Sequence, residues 1–593
     1  MQDLPLYLPT CIPTYLFSYL PITTMDIRGG ELLLKCLQQE NITTLFGILD
    51  GSFNAFLEKL DAYGMRFVNP RHEAAAVHMA EAYARVRGEP AVVLGGIGPG
   101  AANMLSGVIT AYAEGVPLIA ISGQRRRNLI YPDRGGSFQN VDLVGLFKPV
   151  TKFSAGVRDL QRLPELARRA FREALNGRPG PVYLEIPEDL MRGEIDDETL
   201  QIFAPSQYRA GRPGAGDAEL IQRAAEWLAH AKRPLLHAGS GVAWSGAWNE
   251  FVALADYLAA PITTSLAARG VVPEDHPRYF HALNRNALEA ARSEADVVLV
   301  VGSRVGELDA WGKGDSWGEV GAQKIIHIDI DPLAIGLNRP VDVGILADAK
   351  PALQALCAQV KQLTPPHAEH EGFKTYREHS QDWQAMLSSQ MEAGEEGVNP
   401  GALVKTAREF FPRDAITVQD GGNTSLWTAS YNPIFAPRSY LYTTKFGHLG
   451  TGLPYALGAK LAAPDKPVYL ISGDGAMGFN IQELETARRY NLNIIVIVSC
   501  DKGWGMERSS QAFFNLPEFI ECDLYPDTRY DQVAEAFGCY GELVNTLDEL
   551  RPALERAVAS NKPALIQVMS DITANMMPPG LLTFTGLVYR AEN

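Results

Sequence analysis

Short apolar runs alternate with helix-like segments throughout the first third of the chain. Five runs have the length and residue types of buried strands: TTLFGI, MRFVNP, PAVVLGG, PLIAISG and PVYLEIP. The segments between them, among them EAAAVHMAEAYARVRG and GAANMLSGVITAYAEG, have the composition of helices. Apolar strands separated by helices are typical of a parallel, doubly wound sheet. We therefore predict one α/β domain over residues 25–190.

The same alternation occurs twice more along the chain. A second unit over 191–363 contains PLLHAG, PITTSL, DVVLVVGS and KIIHIDID, and a third over 400–575 contains AITVQDGG, PVYLISGDG, NIIVIVSCD and PALIQVMS. Residues 364–399 are polar, charged and proline-containing, which predicts a linker. Residues 576–593 are predicted to form a C-terminal tail. The predicted fold is α/β, with three doubly wound parallel-sheet domains.

Residues 1–24 are apolar and aromatic, but they contain four prolines and neither lysine nor arginine. Proline breaks helices, and a membrane span needs about 20 uninterrupted apolar residues. A signal peptide needs a basic start and a small-residue cleavage site. We therefore expect an N-terminal extension ahead of a domain that begins near Met25; an arm that packs at an interface is the alternative.

Composition narrows the class of protein. Among 593 residues, 53 Lys and Arg stand against 69 Asp and Glu, a net charge of −16 that disfavours nucleic acid as a partner. The six cysteines form no CxxC pair, which indicates reduced thiols in the cytoplasm. Ordinary globular composition and the lack of a long apolar segment predict no membrane association.

The most informative segment spans residues 467–506 and has the pattern strand, glycine turn, helix, strand, turn. Gly473 and Gly475 allow a sharp turn that places Asp474 at the carboxyl edge of a parallel sheet, where ligands usually bind. Asp501 follows the next strand and returns to that edge. Two carboxylates beside a helix N-terminus suit Mg²⁺ shared with a diphosphate.

This segment resembles the diphosphate motif of the thiamine-diphosphate enzymes of the acetolactate synthase, benzaldehyde lyase, and 2-hydroxyacyl-CoA lyase or oxalyl-CoA decarboxylase group. That motif is GDG, some two dozen residues, and then a pair of asparagines; here Cys500 and Asp501 stand in place of the pair. The resemblance implies thiamine diphosphate as cofactor and Mg²⁺ held by Asp474, Asp501 and the backbone carbonyl of Gly503. The extra negative charge of Asp501 is expected to tighten Mg²⁺ binding and to repel the diphosphate.

Glu73 begins a helix after the strand MRFVNP and matches the glutamate of the family's pyrimidine-binding domain. In that family a glutamic acid with a raised pKa hydrogen-bonds a ring nitrogen of the aminopyrimidine. The resemblance implies that Glu73 has this catalytic and cofactor-binding role. Reaction then proceeds through a ylid and an enamine.

Further cofactor contacts follow from the same resemblance. Gly473 and Gly475 belong to the diphosphate motif, and Leu449 occupies the position of an apolar residue that holds the cofactor in its bent form. The other implied contacts are Gly422, Asn423 and Thr424 at the diphosphate and Trp504 and Met506 as pocket walls, with core packing as the alternative for the last two.

The resemblance leaves the substrate open. Phe138 and Gln139 match acetolactate synthase positions near the substrate and are candidate catalytic residues. Glu307 and Leu308 stand where the synthases place an Asp-Arg pair, and Phe53 stands where benzaldehyde lyase places a histidine. The sequence therefore lacks the Asp-Arg pair expected of an acetolactate synthase and the histidine expected of a benzaldehyde lyase.

The central domain raises a separate hypothesis. Residues 310–319 and 324–332 resemble the oxalyl-CoA decarboxylase side of the group, whose middle domain holds an adenine nucleotide, so an adenine nucleotide or CoA is a candidate ligand. FAD is a separate candidate, implied by the resemblance of the central domain to that of the synthases. Arg125, Arg126 and Arg127 are candidate partners for an acyl-CoA phosphate; a solvated basic loop is the alternative.

In this family each site takes its pyrimidine half and its diphosphate half from different subunits, which implies a homodimer or a dimer of dimers. The predicted function is a thiamine-diphosphate- and Mg²⁺-dependent carboligase, decarboxylase or lyase that acts on 2-keto acids or 2-hydroxy carbonyl compounds and is acetolactate synthase-like. A 2-hydroxyacyl-CoA lyase or oxalyl-CoA decarboxylase is the alternative, and a catalytically silent regulatory paralogue is the alternative of another class.

Overall fold

A computed structural model of the chain describes residues 26–211, 213–392 and 396–589. It contains three parallel sheets with helices packed on their faces, which confirms the predicted fold class. The extension predicted over residues 1–24 lies outside the described residues. Within the described parts of the chain, no helix combines the length and the apolar character that crossing a membrane requires.

The N-terminal sheet has six parallel strands in the order β3-β2-β4-β5-β7-β6, and β1 pairs with β8 in an antiparallel ribbon. The strands are β1 (Asp26–Arg28), β2 (Thr44–Gly47), β3 (Arg66–Val68), β4 (Ala91–Gly95), β5 (Leu118–Gln124), β6 (Ser154–Gly156), β7 (Val182–Pro187) and β8 (Glu194–Asp196). The helices are α1 (Gly29–Gln39), α2 (Asn54–Leu57), α3 (Glu73–Arg87), α4 (Pro99–Asn103), α5 (Leu105–Glu114), α6 (Arg127–Ile130), α7 (Leu143–Phe147), α8 (Leu163–Leu175) and α9 (Glu188–Arg192).

The central sheet has five parallel strands in the order β10-β9-β11-β12-β13. They are β9 (Pro234–Ala238), β10 (Ile262–Thr264), β11 (Val297–Val301), β12 (Lys324–Asp329) and β13 (Val343–Leu346). Its helices are α10 (Ala218–His230), α11 (Ser240–Ser245), α12 (Trp248–Tyr257), α13 (Arg285–Glu294) and α14 (Ala349–Leu363).

The stretch predicted as a linker contains a helix, α15 (Gly372–Gln390). Phe373 and Tyr376 are buried in a cluster of the central domain, whereas Leu387 is buried in a cluster of the C-terminal domain. The sequence pattern does not predict this helix, because its few buried positions form a narrow apolar stripe in an otherwise polar segment. The segment connects the two domains as a packed helix.

The C-terminal sheet has six parallel strands in the order β15-β14-β16-β17-β19-β18. They are β14 (Ile416–Asp420), β15 (Tyr440–Leu441), β16 (Val468–Gly473), β17 (Ile495–Cys500), β18 (Tyr540–Val544) and β19 (Ala564–Met569). The helices are α16 (Pro400–Phe410), α17 (Asn423–Tyr431), α18 (Gly452–Ala462), α19 (Asp474–Met477), α20 (Glu483–Arg489), α21 (Gly505–Phe513), α22 (Tyr530–Ala536), α23 (Leu547–Ala559), α24 (Ile572–Asn575) and α25 (Leu581–Tyr589), so the predicted tail carries a helix.

The two terminal domains share one buried apolar cluster, in which α3 of the first packs on α18 of the last. Gly458 of α18 lies so close to Met79 of α3 that a Cβ at this glycine would overlap the Met79 carbonyl oxygen. Close packing of small residues lets two helix backbones approach each other. The helix that begins at Glu73 is therefore fixed against the C-terminal domain.

Candidate active site

The predicted diphosphate site lies at the carboxyl edge of the C-terminal sheet, where three neighbouring strands end. β14, β16 and β17 are adjacent in the sheet and parallel. The chain leaves them through Gly421 and Gly422 into α17, through Asp474 into α19, and through Asp501 into the turn before α21. Because these ends meet at one edge, residues far apart in the sequence are brought together.

Asp474 is buried, with 2% of its surface exposed. Its Oδ1 accepts a hydrogen bond from the Gly475 N–H (2.8 Å), and its Oδ2 accepts from the Lys502 N–H (2.8 Å) and from the Cys500 thiol (3.4 Å). Burial and then the neighbouring charge of Asp501 raise the pKa of Asp474 to about 7. A buried carboxylate with only neutral donors around it is suited to a cation.

Asp501 is 5% exposed and has stronger partners. Its Oδ2 accepts from the Asn575 side-chain amide at 2.8 Å and lies 3.3 Å from Nη1 of Arg508. Burial raises the pKa of Asp501, whereas the Asn575 hydrogen bond and the Arg508 charge oppose that rise. The structure therefore places both predicted carboxylate ligands side by side in a buried setting.

The donor set fits a metal ion shared with a ligand. Within the residues that the structure describes, no group of three or more His, Cys, Asp and Glu side chains could hold a metal. Asp474, Asp501 and the carbonyl of Gly503 offer only oxygen, and they cannot fill the octahedral shell of Mg²⁺ alone. A diphosphate would supply further oxygens, so the residues present fit Mg²⁺ bound together with such a group.

Four predicted cofactor contacts pack against one another at this edge. A Cβ at Gly422 would lie 2.5 Å from the Met506 Cβ, and a Cβ at Gly475 would lie 2.9 Å from the Trp504 indole. Glycine at both positions thus allows Trp504 and Met506 to lie directly on the turns. Both side chains therefore lie beside the turns at this edge of the sheet.

The remaining predicted contacts on this side also gather here. A Cβ at Gly473 would lie 3.0 Å from Oγ1 of Thr424. Asn423 is buried, and its amide donates to the Ser509 hydroxyl (2.9 Å) and to the Asn575 carbonyl (2.7 Å). The first N–H groups of α17, which begins at Asn423, have no acceptor within the helix and can serve an anion.

Asp420, at the end of β14, connects two of these loops. It is buried, and its Oδ2 accepts from the Gly452 N–H at 2.7 Å while its Oδ1 accepts from the Gly421 N–H at 2.8 Å. Burial raises the pKa of Asp420 to about 7. The carboxyl group thereby joins the diphosphate turn to the loop that carries half-buried Leu449.

Glu73 is the first residue of α3, where a carboxylate is favoured by the helix dipole. The His72 ring caps the helix by accepting from the Ala74 N–H. Glu73 is half-buried, and its Oε2 accepts from the Asn103 amide at 3.0 Å. A Cβ at Gly100 would lie 3.4 Å from Oε1, so the predicted glycine loop lies against the carboxyl group.

Phe138 and Gln139 lie next to that loop. The Gln139 carbonyl oxygen would lie 2.5 Å from a Cβ at Gly98, and Phe138 is 74% exposed in the single chain. Across the described residues, no hydrogen bond or ion pair joins Glu73 to Asp474 or Asp501.

Phe53, placed at the benzaldehyde lyase histidine position, does not line this region. Its side chain is fully buried and packs on Phe56, with ring centroids 5.6 Å apart. Its role is in the core of the N-terminal domain.

The three consecutive arginines are paired with acidic residues of α9. Arg125 and Arg126 lie 3.3 and 3.4 Å from the Glu188 carboxylate, and Arg127 lies 2.8 Å from that of Asp189. These carboxylates neutralise much of the basic loop.

A large cavity lies at the carboxyl edge of the central sheet. Its volume is about 1220 Å³, and the turns after β9, β11 and β12 contribute to its walls together with residues of both terminal domains. Its lining includes Gly239, Ser240, Gly241, Gly302, Ser303, Arg304, Glu307, Leu308, Trp311, Asp329 and Asp331. Burial raises the pKa of Asp329 to about 6. A glycine-rich edge with an acidic residue after a later strand is typical of nucleotide sites.

Comparisons with known proteins agree with this geometry. Models of thiamine pyrophosphate enzymes match residues 27–146 (N-terminal TPP binding domain), 221–356 (central domain) and 420–568 (C-terminal TPP binding domain). A probable acetolactate synthase large subunit from Methanocaldococcus jannaschii is 33% identical, over 93% of this chain and 94% of the relative. The chain belongs to the thiamine pyrophosphate enzymes.

Other relatives of this thiamine pyrophosphate enzyme have similar names. The probable acetolactate synthase large subunit of Methanococcus aeolicus is 31% identical, over 93% of this chain and 94% of the relative. The acetolactate synthase isozyme 3 large subunit of Escherichia coli is 29% identical, over 93% of this chain and 96% of the relative. The chain is thus an acetolactate synthase-like, thiamine-diphosphate-dependent enzyme that forms or breaks carbon–carbon bonds, and the silent-paralogue alternative is set aside. The domain boundaries and site residues stay predictions.

Three residues that contact the candidate site were not predicted from the sequence. Asn575 follows the last strand, Arg508 lies within α21, and Asp420 ends β14. The sequence contains a pattern that could have indicated Asp420, since this residue ends an apolar run and precedes two glycines. No such pattern indicates Asn575 or Arg508, because the partner of Asn575 is distant in the sequence and that of Arg508 lies across a turn.

Proposed function

We propose that the protein is a thiamine-diphosphate- and Mg²⁺-dependent carboligase or decarboxylase that acts on 2-keto acids. The observation that carries the proposal is the buried pair Asp474 and Asp501, at one sheet edge with the N-terminus of α17. The two carboxylates attract the metal ion, and the N–H groups at the N-terminus of α17 attract the diphosphate.

When bound, thiamine diphosphate supplies a nucleophilic carbon that adds to a carbonyl and then accepts the electron pair released by cleavage of the adjacent carbon–carbon bond. Asp474, Asp501 and the Gly503 carbonyl hold Mg²⁺, and the first N–H groups of α17 bind the diphosphate. Trp504 and Met506 cover the turns and limit water access.

Glu73 would hydrogen-bond a ring nitrogen of the bound cofactor, and Asn103 keeps the Glu73 carboxyl group oriented through the 3.0 Å hydrogen bond. Gln139 and Phe138, beside the same glycine loop, lie on the substrate side. The Phe138 side chain is exposed in the single chain. It can therefore cover a substrate that is bound where a second subunit brings the diphosphate half of the site.

The two halves of the site come together in a homodimer or a dimer of dimers. Support comes from exposed large apolar side chains near both halves, among them Phe138, Phe446, Phe479 and Phe513. Mixing inactive Glu73→Gln and Asp474→Ala subunits tests the arrangement. Random pairing makes half of the dimers hybrid with one intact site of two, so about a quarter of wild-type activity returns. No regained activity from demonstrated hybrids would place each site within one chain.

The central cavity is proposed to hold FAD or an adenine nucleotide. Its size, the glycine turns after β9 and β11, and the buried Asp329 at the end of β12 support a nucleotide. Flavin absorbance of the purified protein, or binding of FAD or ADP by calorimetry, tests the proposal; a colourless protein that binds neither would exclude it.

Pyruvate is the first donor to test. Glu307 and Leu308, in the wall of the central cavity, provide no arginine for a second keto acid, so the acceptor is a separate question. The assay measures CO₂ release and acetolactate formation with cofactor and Mg²⁺, and Glu73→Gln is expected to abolish both. Cleavage of a 2-hydroxyacyl-CoA without pyruvate turnover would favour the CoA-linked alternative, which the paired arginine triplet does not support.

A further inference from the structure

Arg508 lies directly under the turn that presents the proposed metal ligands. It is 5% exposed, and its Nη1 donates to the backbone carbonyl of Asp501 (3.1 Å) and lies 3.3 Å from the Asp501 carboxylate. Its Nη2 donates to the Lys502 carbonyl (2.9 Å) and to the carboxylate of Asp523 (2.7 Å). A side chain at Gly503 would overlap this guanidinium group.

The charges at the site require a counter-charge. Asp474 and Asp501 together carry two negative charges when ionised, and a diphosphate adds at least two more in the same buried space, so Mg²⁺ with its two positive charges leaves an excess of negative charge. Among the ion pairs of the described residues, Arg508 is the one cation paired with either carboxylate. Opposite charges attract strongly where burial limits screening.

We propose that Arg508 is a positioning residue that neutralises Asp501, so that a second carboxylate can serve the metal site without repelling the diphosphate. The inference rests on the proposed function. It reverses the expectation, drawn from the charge of Asp501 alone, that this residue weakens diphosphate binding.

A double-mutant cycle tests the inference. The variants are Asp501→Asn, Arg508→Gln and the double variant, and the readout is the Kd of thiamine diphosphate at saturating Mg²⁺, measured by quenching of tryptophan fluorescence. Arg508→Gln is expected to weaken binding about tenfold or more in the native background. With Asp501→Asn present, the same change is expected to weaken it less than about threefold, because the charge to be neutralised is gone.

Asp523→Asn is the matched control. It makes the same chemical change on the same guanidinium group, but the Asp523 side chain is 85% exposed and lies outside the metal pair. Exposed pairs are screened, so its coupling to Arg508→Gln is expected to be within about twofold. Coupling as large as that of Asp501 would overturn the inference.

Three further outcomes decide the matter. Equal losses in both Asp501 backgrounds would mean that Arg508 only braces the turn, and would overturn the inference. If Arg508→Gln does not fold but the double variant with Asp501→Asn does, the inference is supported. If neither variant folds, the inference is contradicted. If the wild-type protein binds no thiamine diphosphate with Mg²⁺, the proposed function itself fails.

Discussion

Replacement of Asn575 by alanine should destabilise the C-terminal domain through two separate losses. The Asn575 side chain donates to Asp501 at 2.8 Å and accepts from the indole N–H of Trp427 at 2.9 Å. A hydrogen bond to a charged group contributes about 1.5–3 kcal/mol, and a buried donor left unpaired costs about 1–3 kcal/mol. Trp427 is 1% exposed, so water does not readily replace its acceptor. We expect a total loss of about 2–5 kcal/mol in the free energy of unfolding.

Urea unfolding of the cofactor-free protein, followed by tryptophan fluorescence, measures this loss. Trp427→Phe removes the donor in advance, so Asn575→Ala should cost about 1–3 kcal/mol less in that background than in the native one. Equal costs in the two backgrounds would refute the account of the unpaired indole. Because the chain has several domains, the comparison uses the transition of the C-terminal domain rather than one global value.

Two other changes have predictable directions. Gly458→Ala should lower the free energy of unfolding by about 1–3 kcal/mol, because the new Cβ would overlap the Met79 carbonyl oxygen, although alanine is normally the better helix former. The control is Gly214→Ala, which has open space around it and should change the free energy of unfolding little. A Gly458→Ala variant as stable as the wild type would contradict the close helix crossing. Asp420 has a folded pKa of about 7 against about 3.9 unfolded, so its stabilising contribution is complete below about pH 4 and is lost as the pH rises through 7. The destabilisation caused by Asp420→Asn should therefore shrink between pH 4 and 7 in urea unfolding, and a constant difference would contradict the burial argument.

The alternation of apolar and helical segments predicted the three sheets because buried parallel strands are apolar runs of characteristic length. The same logic failed for α15, since Phe373 and Tyr376 bury one narrow side of a polar helix. Composition alone cannot distinguish such a helix from a linker.

The site could be predicted where it depends on local turns. Gly473 ends β16, and Asp474 and Gly475 follow it directly, so the segment itself predicts their place at the edge of the sheet. The pairing of Asp501 with Arg508 and Asn575 depends on the folded position of α21 and on the chain beyond β19. No periodic pattern in the sequence predicts that these three side chains lie in contact.

The central claim is that Asp474 and Asp501 hold a metal through which the protein binds thiamine diphosphate. Calorimetric titration of the cofactor into the purified protein, with Mg²⁺ and then with a chelator, tests it most directly. The account predicts tight binding with Mg²⁺, and binding weaker by about a hundredfold or more with the chelator or after Asp474→Asn. Cofactor binding that is equally tight without divalent metal and without the Asp474 carboxylate would contradict the account.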